Sequence, residues 1–140
     1  MAVVTEAEAA AKPGSLTYAE AAAVPLAALT AWQSLISTAR LEAGQTVLVH
    51  GGSGGAGSFA VQIARARGAK VIATASTPNQ DLLRQLGADV ALDYTSAKFE
   101  EVAREVDVVL DPVGASSSVL SRGLIQRSWR STAFAAFRWR

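Results

Sequence analysis

The chain has 140 residues, of which half are hydrophobic and 18% are charged, and its formal net charge is +1. This length suits one ordinary domain, and the composition excludes a disordered polar chain. There is no cysteine and a single histidine, which excludes a disulfide framework and leaves too few ligands for a protein-built metal site. We therefore predict no bound metal.

The N-terminal segment and the longest apolar run indicate whether the protein is secreted or inserted in a membrane. The first 14 residues lack a basic region followed by an uninterrupted apolar stretch, so we predict no secretory signal and expect a cytoplasmic protein. The apolar run from Ala19 to Trp32 is interrupted by Glu20, Pro25 and Thr30. Because it falls short of the roughly 20 apolar residues of a membrane span, no membrane partner is expected.

Two helices are predicted before the first strand. Thr17 and Glu20 have the spacing of a capping box, so a short helix begins there and is expected to break near Pro25. Leu26 to Arg40 has helical spacing of its apolar residues and predicts a second helix, followed by a turn at Gly44.

A strand, a glycine-rich loop and a helix follow. Thr46 to His50 (TVLVH) is apolar on both faces, which is typical of a parallel strand buried between helix layers. The loop GGSGGAG at 51–57 leads into the amphipathic segment FAVQIARAR. Lys70 to Ala75 (KVIATA) predicts a second buried strand, which completes one βαβ unit.

The alternation then continues, and strands that alternate with helices predict a parallel α/β sheet. The fold class is a Rossmann-type sheet with flanking helices, incomplete with about four strands. An uncovered edge strand favours association, so a homodimer is among the expected partners. The remaining predicted elements are helix Pro78 to Leu86, strand Ala88 to Asp93, helix Ala97 to Arg104, strand Val106 to Leu110 and helix Ser117 to Leu124.

The C-terminal end differs in composition from the rest. The last acidic residue is Asp111, whereas five arginines follow it. The segment SWRSTAFAAFRWR has neither strand alternation nor a capped helical stripe, so we predict a disordered basic tail at 126–140. A nucleic-acid or membrane contact is the alternative for this tail, but without an amphipathic period a solvated tail is the simpler interpretation, and no nucleic-acid partner is expected.

The glycine loop predicts a nucleotide site. Gly52, Gly54 and Gly57 satisfy G-x-G-x-x-G, a weak motif by itself that gains specificity between a buried strand and a helix. The amides of Gly55, Ala56 and Gly57 at the helix N-terminus can donate to a pyrophosphate, and a side chain at Gly54 would hold the phosphates away. The alternative is a plain tight turn that binds no nucleotide.

The end of the second strand indicates which nucleotide is bound. An acidic residue there would bond the ribose 2′-hydroxyl of NAD, but residues 74–79 read TASTPN and contain none. Ser76 and Thr77 offer hydroxyls suited to a 2′-phosphate, and Lys70 and Arg84 are the nearest basic residues in sequence. NADP is therefore favoured over NAD.

From Lys12 to Ile125 the sequence resembles the medium-chain dehydrogenase/reductase superfamily and, within it, the zinc-free quinone oxidoreductase branch. This resemblance implies NADP(H) as cofactor and a small-molecule substrate, a quinone or an activated alkene, reduced by hydride transfer without metal. The matching segments, in order, are KPGSLTYAEAAAVPLAALTAWQSL, AGQTVLVHGGSGGAG, GAKVIATAST, LGADVALDY and VDVVLDPVG.

The resemblance also implies cofactor-binding residues. Thr30 is expected near the nicotinamide, Tyr94 beside the 2′-phosphate, and Val113 and Gly114 against the ribose and nicotinamide. No catalytic residue is named, because His50 has no carboxylate or nucleophile that the sequence places beside it. The full expected set is Thr30, Gly51, Gly52, Gly54, Gly55, Ala56, Gly57, Ser76, Thr77, Tyr94, Val113 and Gly114.

Three departures from the family pattern set the alternatives. Many relatives have a basic residue where this chain has Asn79 or Gln80, and the family has a substrate-binding domain before the position of Met1 and further strands after Ile125. We expect residues 1–16 to be a remnant of that domain or a linker, and 17–125 to be a partial NADP-binding domain. The chain is then a fragment of an NADPH-dependent reductase or a non-catalytic nucleotide-binding remnant without turnover.

Overall fold

The computed structural model describes residues 3–103, 105–114 and 131–133. In this part of the chain, helices alternate with strands from Thr46 to Asp111, as the sequence predicts. A short 3₁₀ turn at Glu6–Glu8 precedes the first helix, and a second, Thr77–Asn79, follows the second strand. The helices and strands are α1 (Tyr18–Trp32), a π-helical segment (Gln33–Thr38), β1 (Thr46–Val49), α2 (Gly55–Ala66), β2 (Lys70–Ala75), α3 (Gln80–Leu86), β3 (Val90–Asp93), α4 (Phe99–Val102), β4 (Val108–Asp111) and β5 (Ser131–Ala133).

The strands form one parallel sheet in the order β3-β2-β1-β4-β5. β1 lies between β2 and β4, with Val47 opposite both Val71 and Val108. The order reverses at β1, since the chain moves from β1 to β2 and β3 on one side and then returns to β4 on the other. This confirms the predicted Rossmann-type α/β class and its four predicted strands, and ligands of such sheets bind at the point of reversal.

The fifth strand is a difference from the sequence prediction. Ser131–Ala133 lies within the segment expected to be a disordered tail, yet it pairs parallel with β4 through Leu110 and Thr132. Three residues without alternation give too weak a pattern to predict a strand, and here the neighbouring β4 supplies the hydrogen-bonding partner. β4 is therefore an interior strand, and among the described strands β3 and β5 are the outermost. The predicted helix Ser117 to Leu124 lies outside the described residues.

Two apolar layers cover the sheet. On one face, Val47, Val49 and Val71 pack with α1, α2 and α3 in a cluster that includes Leu35 and Leu83. The opposite face has a smaller cluster, formed by Leu48, Ile72, Leu92, Ala103, Val106 and Val109, with Phe99 of α4 packed against it. The sheet is thus covered on both faces, which explains why β1, β2 and β4 read as continuous apolar runs.

The first helix is longer than predicted. The capping box is confirmed, because Thr17 Oγ1 accepts from the amide of Glu20 and the Glu20 carboxylate accepts from the amide of Thr17. These hydrogen bonds from Thr17, the backbone one first, lower the pKa of Glu20. The expected break at Pro25 is wrong, since α1 continues through it to Trp32. Packing of α1 on α2 keeps the helix intact despite the hydrogen bond that a proline removes.

Together, α1 and the π-helical segment form a continuous helix of 21 residues, Tyr18–Thr38. Its length and its mean hydropathy of 1.2 would also suit a membrane span, criteria that a helix of a globular domain meets as well. Glu20, Pro25 and Thr30, which interrupt the apolar run in the sequence, therefore do not shorten this helix. Leu26 is 83% exposed, and Leu29 and Trp32 are about half exposed, so one side of α1 is apolar and uncovered by the described residues.

Candidate functional site

A cavity of about 780 Å³ lies at the carboxyl ends of the central strands. It begins at the end of β1 and the glycine loop, and it reaches the ends of β2 and β4 and the segment that links β3 to α4. Its size is in the range of small-molecule and cofactor sites. The lining residues are His50, Gly51, Ser53, Gly54, Gly55, Ala56, Gly57, Thr74, Ala75, Ser76, Tyr94, Ala97, Lys98, Phe99, Pro112, Val113 and Gly114.

Most of the residues expected to bind a cofactor lie together in this lining. They are Gly51, Gly54, Gly55, Ala56, Gly57, Ser76, Tyr94, Val113 and Gly114. Three expected residues do not line it. Thr30 is half-buried in α1, Gly52 is buried beneath the loop, and Thr77 is exposed beyond the end of β2.

Several lining residues were not singled out from the sequence. Thr74 and Ala75 end β2, Pro112 follows β4, and Ala97 and Lys98 precede α4. For Thr74, Ala75 and Pro112 the sequence does hold a signal, because residues at the carboxyl ends of the central strands border the ligand crevice of such a sheet. Ala97 and Lys98 lie further along the chain after β3, where no such signal points to them.

The N-terminus of α2 points its free amides at the cavity. Gly54 is the N-cap, and no side chain caps this helix. The amides of Gly55, Ala56 and Gly57 belong to the first turn, where no preceding helical carbonyl is available to them. All three residues line the cavity, so an anion there would meet unsatisfied donors and the positive end of the helix dipole.

The glycines of the loop divide into two kinds. A β-carbon at Gly57 would overlap the carbonyl oxygen of Gly51, and one at Gly52 would lie 2.8 Å from Leu83 Cδ2 and 3.0 Å from the Ala73 Cβ. These two glycines allow close packing of the loop on α2, β2 and α3. At Gly55 an added β-carbon would be in ordinary contact, 3.8 Å from the Ala27 Cβ, and at Gly54 it would be in tight contact, 3.3 Å from Gly51 O.

The end of β2 is closed by amide side chains. Asn79 Nδ2 donates to Ser76 Oγ at 3.1 Å, and Gln80 Nε2 donates to the Ala75 carbonyl at 2.9 Å. Asn79 and Gln80 thus hold the turn after β2. Ser76 Oγ accepts from Asn79, which leaves its own hydroxyl proton free to donate toward the cavity.

Thr77 turns away from the cavity toward β3. Its hydroxyl donates to Asp93 Oδ2 at 2.6 Å, and Thr95 donates to Asp93 Oδ1 through both its amide and its hydroxyl. The hydrogen bond from Thr77, followed by those from Thr95, lowers the pKa of Asp93. The carboxylate nearest the end of β2 is therefore already engaged by three donors.

The two basic residues expected to neutralise a 2′-phosphate are placed elsewhere. Lys70 begins β2, which puts it roughly 16 Å from Ala75 at about 3.3 Å per residue. Arg84 on α3 pairs with Asp81 at 2.7 Å, and neither residue lines the cavity. The basic side chain in the lining is Lys98, at the N-cap of α4.

His50 lies at the bottom of the cavity. It is 4% exposed, its Nδ1 is 3.3 Å from Thr74 Oγ1, and its ring meets Phe99 edge to face at 4.6 Å between centroids. The Gly51 amide also donates to Thr74 Oγ1 at 3.2 Å. These contacts tie the ends of β1 and β2 to α4.

The loop after β4 forms the other wall. The buried carboxylate of Asp111 accepts from the amides of Val113 and Gly114 at 3.0 and 2.8 Å. This fixes Val113 against Gly51, whose added β-carbon would lie 2.9 Å from Val113 Cγ2. Asp111 is thereby engaged by the loop, as Asp93 is by its threonines.

Among the described residues there is no group of three or more His, Cys, Asp and Glu side chains that could hold a metal ion. The donor set present therefore does not fit a zinc site.

Comparison with known proteins agrees with this geometry. Residues 55–124 match a family model described as zinc-binding dehydrogenase. The mitochondrial NAD(P)H oxidoreductase RTN4IP1 of Mus musculus is 37% identical over 139 residues, covering 94% of this chain and 35% of the relative. The 2-methylene-furan-3-one reductase of Solanum lycopersicum is 47% identical over 113 residues, covering 79% and 29%.

A solved structure is similar as well. The quinone oxidoreductase from Coxiella burnetii has a TM-score of 0.78 and 36% identity, covering 82% of this chain and 36% of that one. The chain thus spans about a third of the length of the relatives it matches. The matched family model, these relatives and the glycine-loop cavity together show that the chain belongs to the medium-chain dehydrogenase/reductase superfamily of nicotinamide-dependent oxidoreductases.

Proposed function

We propose that this chain supplies the NADPH-binding portion of a metal-free reductase that acts on quinones or activated alkenes. The observation that carries the proposal is a cavity at the carboxyl ends of the central strands with uncapped helix amides and no carboxylate in its described lining. Such a lining favours a strongly anionic ligand over a neutral one.

The parts of the cavity fit the parts of a dinucleotide. The first-turn amides of α2 would hold the pyrophosphate, and Gly54 leaves the room that this approach requires. Val113 and Gly114 would lie against the nicotinamide ribose, and Tyr94, 60% exposed, would lie by the adenosine. When bound, the nicotinamide supplies the hydride, and the protein's contribution is to bind and orient it.

Selection of NADPH over NADH is supported by the end of β2. The residue that would contact the 2′-position is Ser76, which repels no phosphate, and the nearby Asp93 is occupied by Thr77 and Thr95. An acidic residue here would favour a free 2′-hydroxyl instead.

The substrate class is supported by the relatives alone. One of them is named as a 2-methylene-furan-3-one reductase, and another as a quinone oxidoreductase. The cytoplasmic location stays a prediction, since the mouse relative is named as mitochondrial, and so does a homodimer.

The test is a fluorescence titration of the chain with NADPH and with NADH under identical ionic conditions. We expect NADPH to bind at least tenfold more tightly. Equal affinities, or tighter binding of NADH, would contradict the proposed cofactor preference, and the absence of binding by either would contradict the nucleotide site itself.

A further inference from the structure

We propose that Lys98 binds the 2′-phosphate of NADPH and so determines cofactor preference in this chain. The inference rests on the proposed function, because it names the group that would read the cofactor's additional phosphate.

Lys98 is the cation of the site. In the described lining it is the one residue with a full positive charge, and no carboxylate accompanies it. Its side chain is exposed and has no ion-pair partner among the described side chains. An ammonium that is not neutralised by the protein is available to an anionic ligand.

The position of Lys98 is fixed on both sides. Upstream, the amide of Tyr94 donates to the carbonyl of Ala75, which holds the segment after β3 beside the end of β2. Downstream, Phe99 is partly buried and packs against His50 at the end of β1. Lys98, between Tyr94 and Phe99, therefore lies at the carboxyl edge of the sheet, in the same cavity lining as Ser76 at the end of β2. The end of the second strand is where the adenosine ribose is recognised.

The remaining choice is which phosphate Lys98 would contact. The pyrophosphate already has the three first-turn amides of α2 as donors, whereas in the described lining the end of β2 offers the hydroxyl of Ser76 and no positive charge. Asn79 and Gln80, the positions after Ser76, are used to hold the turn. A 2′-phosphate would thus lack a counter-charge unless Lys98 supplied it across the cavity.

The test compares Lys98→Ala and Lys98→Arg with the unmodified 140-residue chain in titrations with NADPH and NADH. We expect Lys98→Ala to weaken NADPH binding about tenfold, the range of a charge-assisted contact at an exposed site, and to change NADH binding by less than about twofold. Lys98→Arg keeps the charge and should retain most of the NADPH affinity. Lys70→Ala, with the same charge change at the other end of β2, should alter neither.

Three results would overturn the inference. Equal losses for NADPH and NADH would assign Lys98 to the pyrophosphate. If the unmodified chain prefers NADPH and Lys98→Ala keeps that preference, Lys98 does not bind the 2′-phosphate, but the proposed function stands. If the unmodified chain does not prefer NADPH, both the role of Lys98 and the proposed cofactor preference are wrong. Thermal unfolding of each variant checks the fold, which an exposed lysine should not affect.

Discussion

At the scale of single residues, the shape of the site depends on the loop glycines, which have no β-carbon. An added β-carbon would have an ordinary contact at Gly55 and a tight one at Gly54, 3.3 Å from Gly51 O, whereas at Gly52 and Gly57 it would overlap protein atoms. One motif therefore contains two kinds of glycine, which the spacing alone cannot separate. The first kind should affect ligand binding and the second kind stability.

We expect Gly54→Val to abolish nucleotide binding without unfolding the chain. The branched side chain would occupy the space that the phosphates need at the start of α2, whereas the nearest protein atom to its β-carbon, Gly51 O, is 3.3 Å away. Fluorescence titration with NADPH measures binding, and circular dichroism measures helical content. Gly14→Val is the matched control, since nothing lies within 4 Å of its added β-carbon. Binding retained by Gly54→Val would mean that the loop is only a turn.

A second prediction concerns the hydroxyl cluster at the edge of the site. Thr77→Val removes the largest cause of the lowered pKa of Asp93, so that pKa should rise toward its ordinary value of 3.8. Because the folded pKa is depressed, the stabilisation from this cluster is present above pH 3.8 and is lost as the pH falls through the lower folded pKa.

An NMR titration of the Asp93 carboxyl carbon measures this shift. Ser96→Ala is the control, because Ser96 donates its hydroxyl to the main-chain carbonyl of Asp93 rather than to the carboxylate. An Asp93 pKa that is equal in Thr77→Val and in the unmodified chain would show that Thr77 does not engage the carboxylate in solution.

At the scale of elements, α2 must approach the glycine loop closely. A β-carbon at Gly57 would overlap Gly51 O and lie 2.9 Å from the Gly52 Cα. Since these are main-chain atoms, Gly57→Ala should lower the free energy of unfolding by about 2 kcal/mol, as overpacking does. Gly55→Ala, two residues earlier in the same helix with its nearest neighbour at 3.8 Å, should not destabilise. Urea unfolding of both variants tests this, and equal stabilities would contradict the close approach.

The helices and strands also show how much of the fold can be predicted from the sequence. β1 to β4 and α2 to α4 follow from buried apolar runs and glycine-terminated helices, and Gly87 ends α3 in a left-handed conformation as a C-cap glycine should. The predicted helix break at Pro25 is wrong, because local propensity favours a break there, whereas packing on α2 keeps α1 a single helix. β5 was missed because its pairing depends on β4 and not on its own three residues.

The site was predicted less completely than the fold. The loop glycines other than Gly52, together with Ser76, Tyr94 and the Val113–Gly114 pair, line one cavity, and motif and resemblance both point to them. Lys98 could not be selected from the sequence, because it is five residues past β3 and only the contacts of its neighbours Tyr94 and Phe99 bring it to the cavity. Thr77, conversely, has the hydroxyl that the sequence suggests for a 2′-phosphate, but that hydroxyl donates to Asp93 instead.

At the scale of the whole molecule, the described cavity is lined by strand ends, loops and the first turns of helices at one edge of a single sheet. Hydride transfer needs an acceptor held near van der Waals distance of the nicotinamide with water excluded, and such orientation can lower the barrier by several kcal/mol. The described lining offers residues for a dinucleotide, and the relatives are about three times as long as this chain. Binding and turnover should therefore separate in the isolated 140 residues.

We expect the isolated chain to bind NADPH and to show no appreciable reduction of quinones or enones. The measurement follows NADPH absorbance with a panel of acceptors and compares the chain with a chimera, in which the corresponding segment of a full-length relative is replaced by residues 12–125. The chimera should reduce at least one acceptor, because the relatives that supply its remaining parts are named as a reductase and an oxidoreductase. Gly54→Val within the chimera should abolish that turnover. Comparable rates for the bare chain and the chimera would place a complete substrate site within residues 12–125, and an inactive but NADPH-binding chimera would favour a nucleotide-binding role without catalysis.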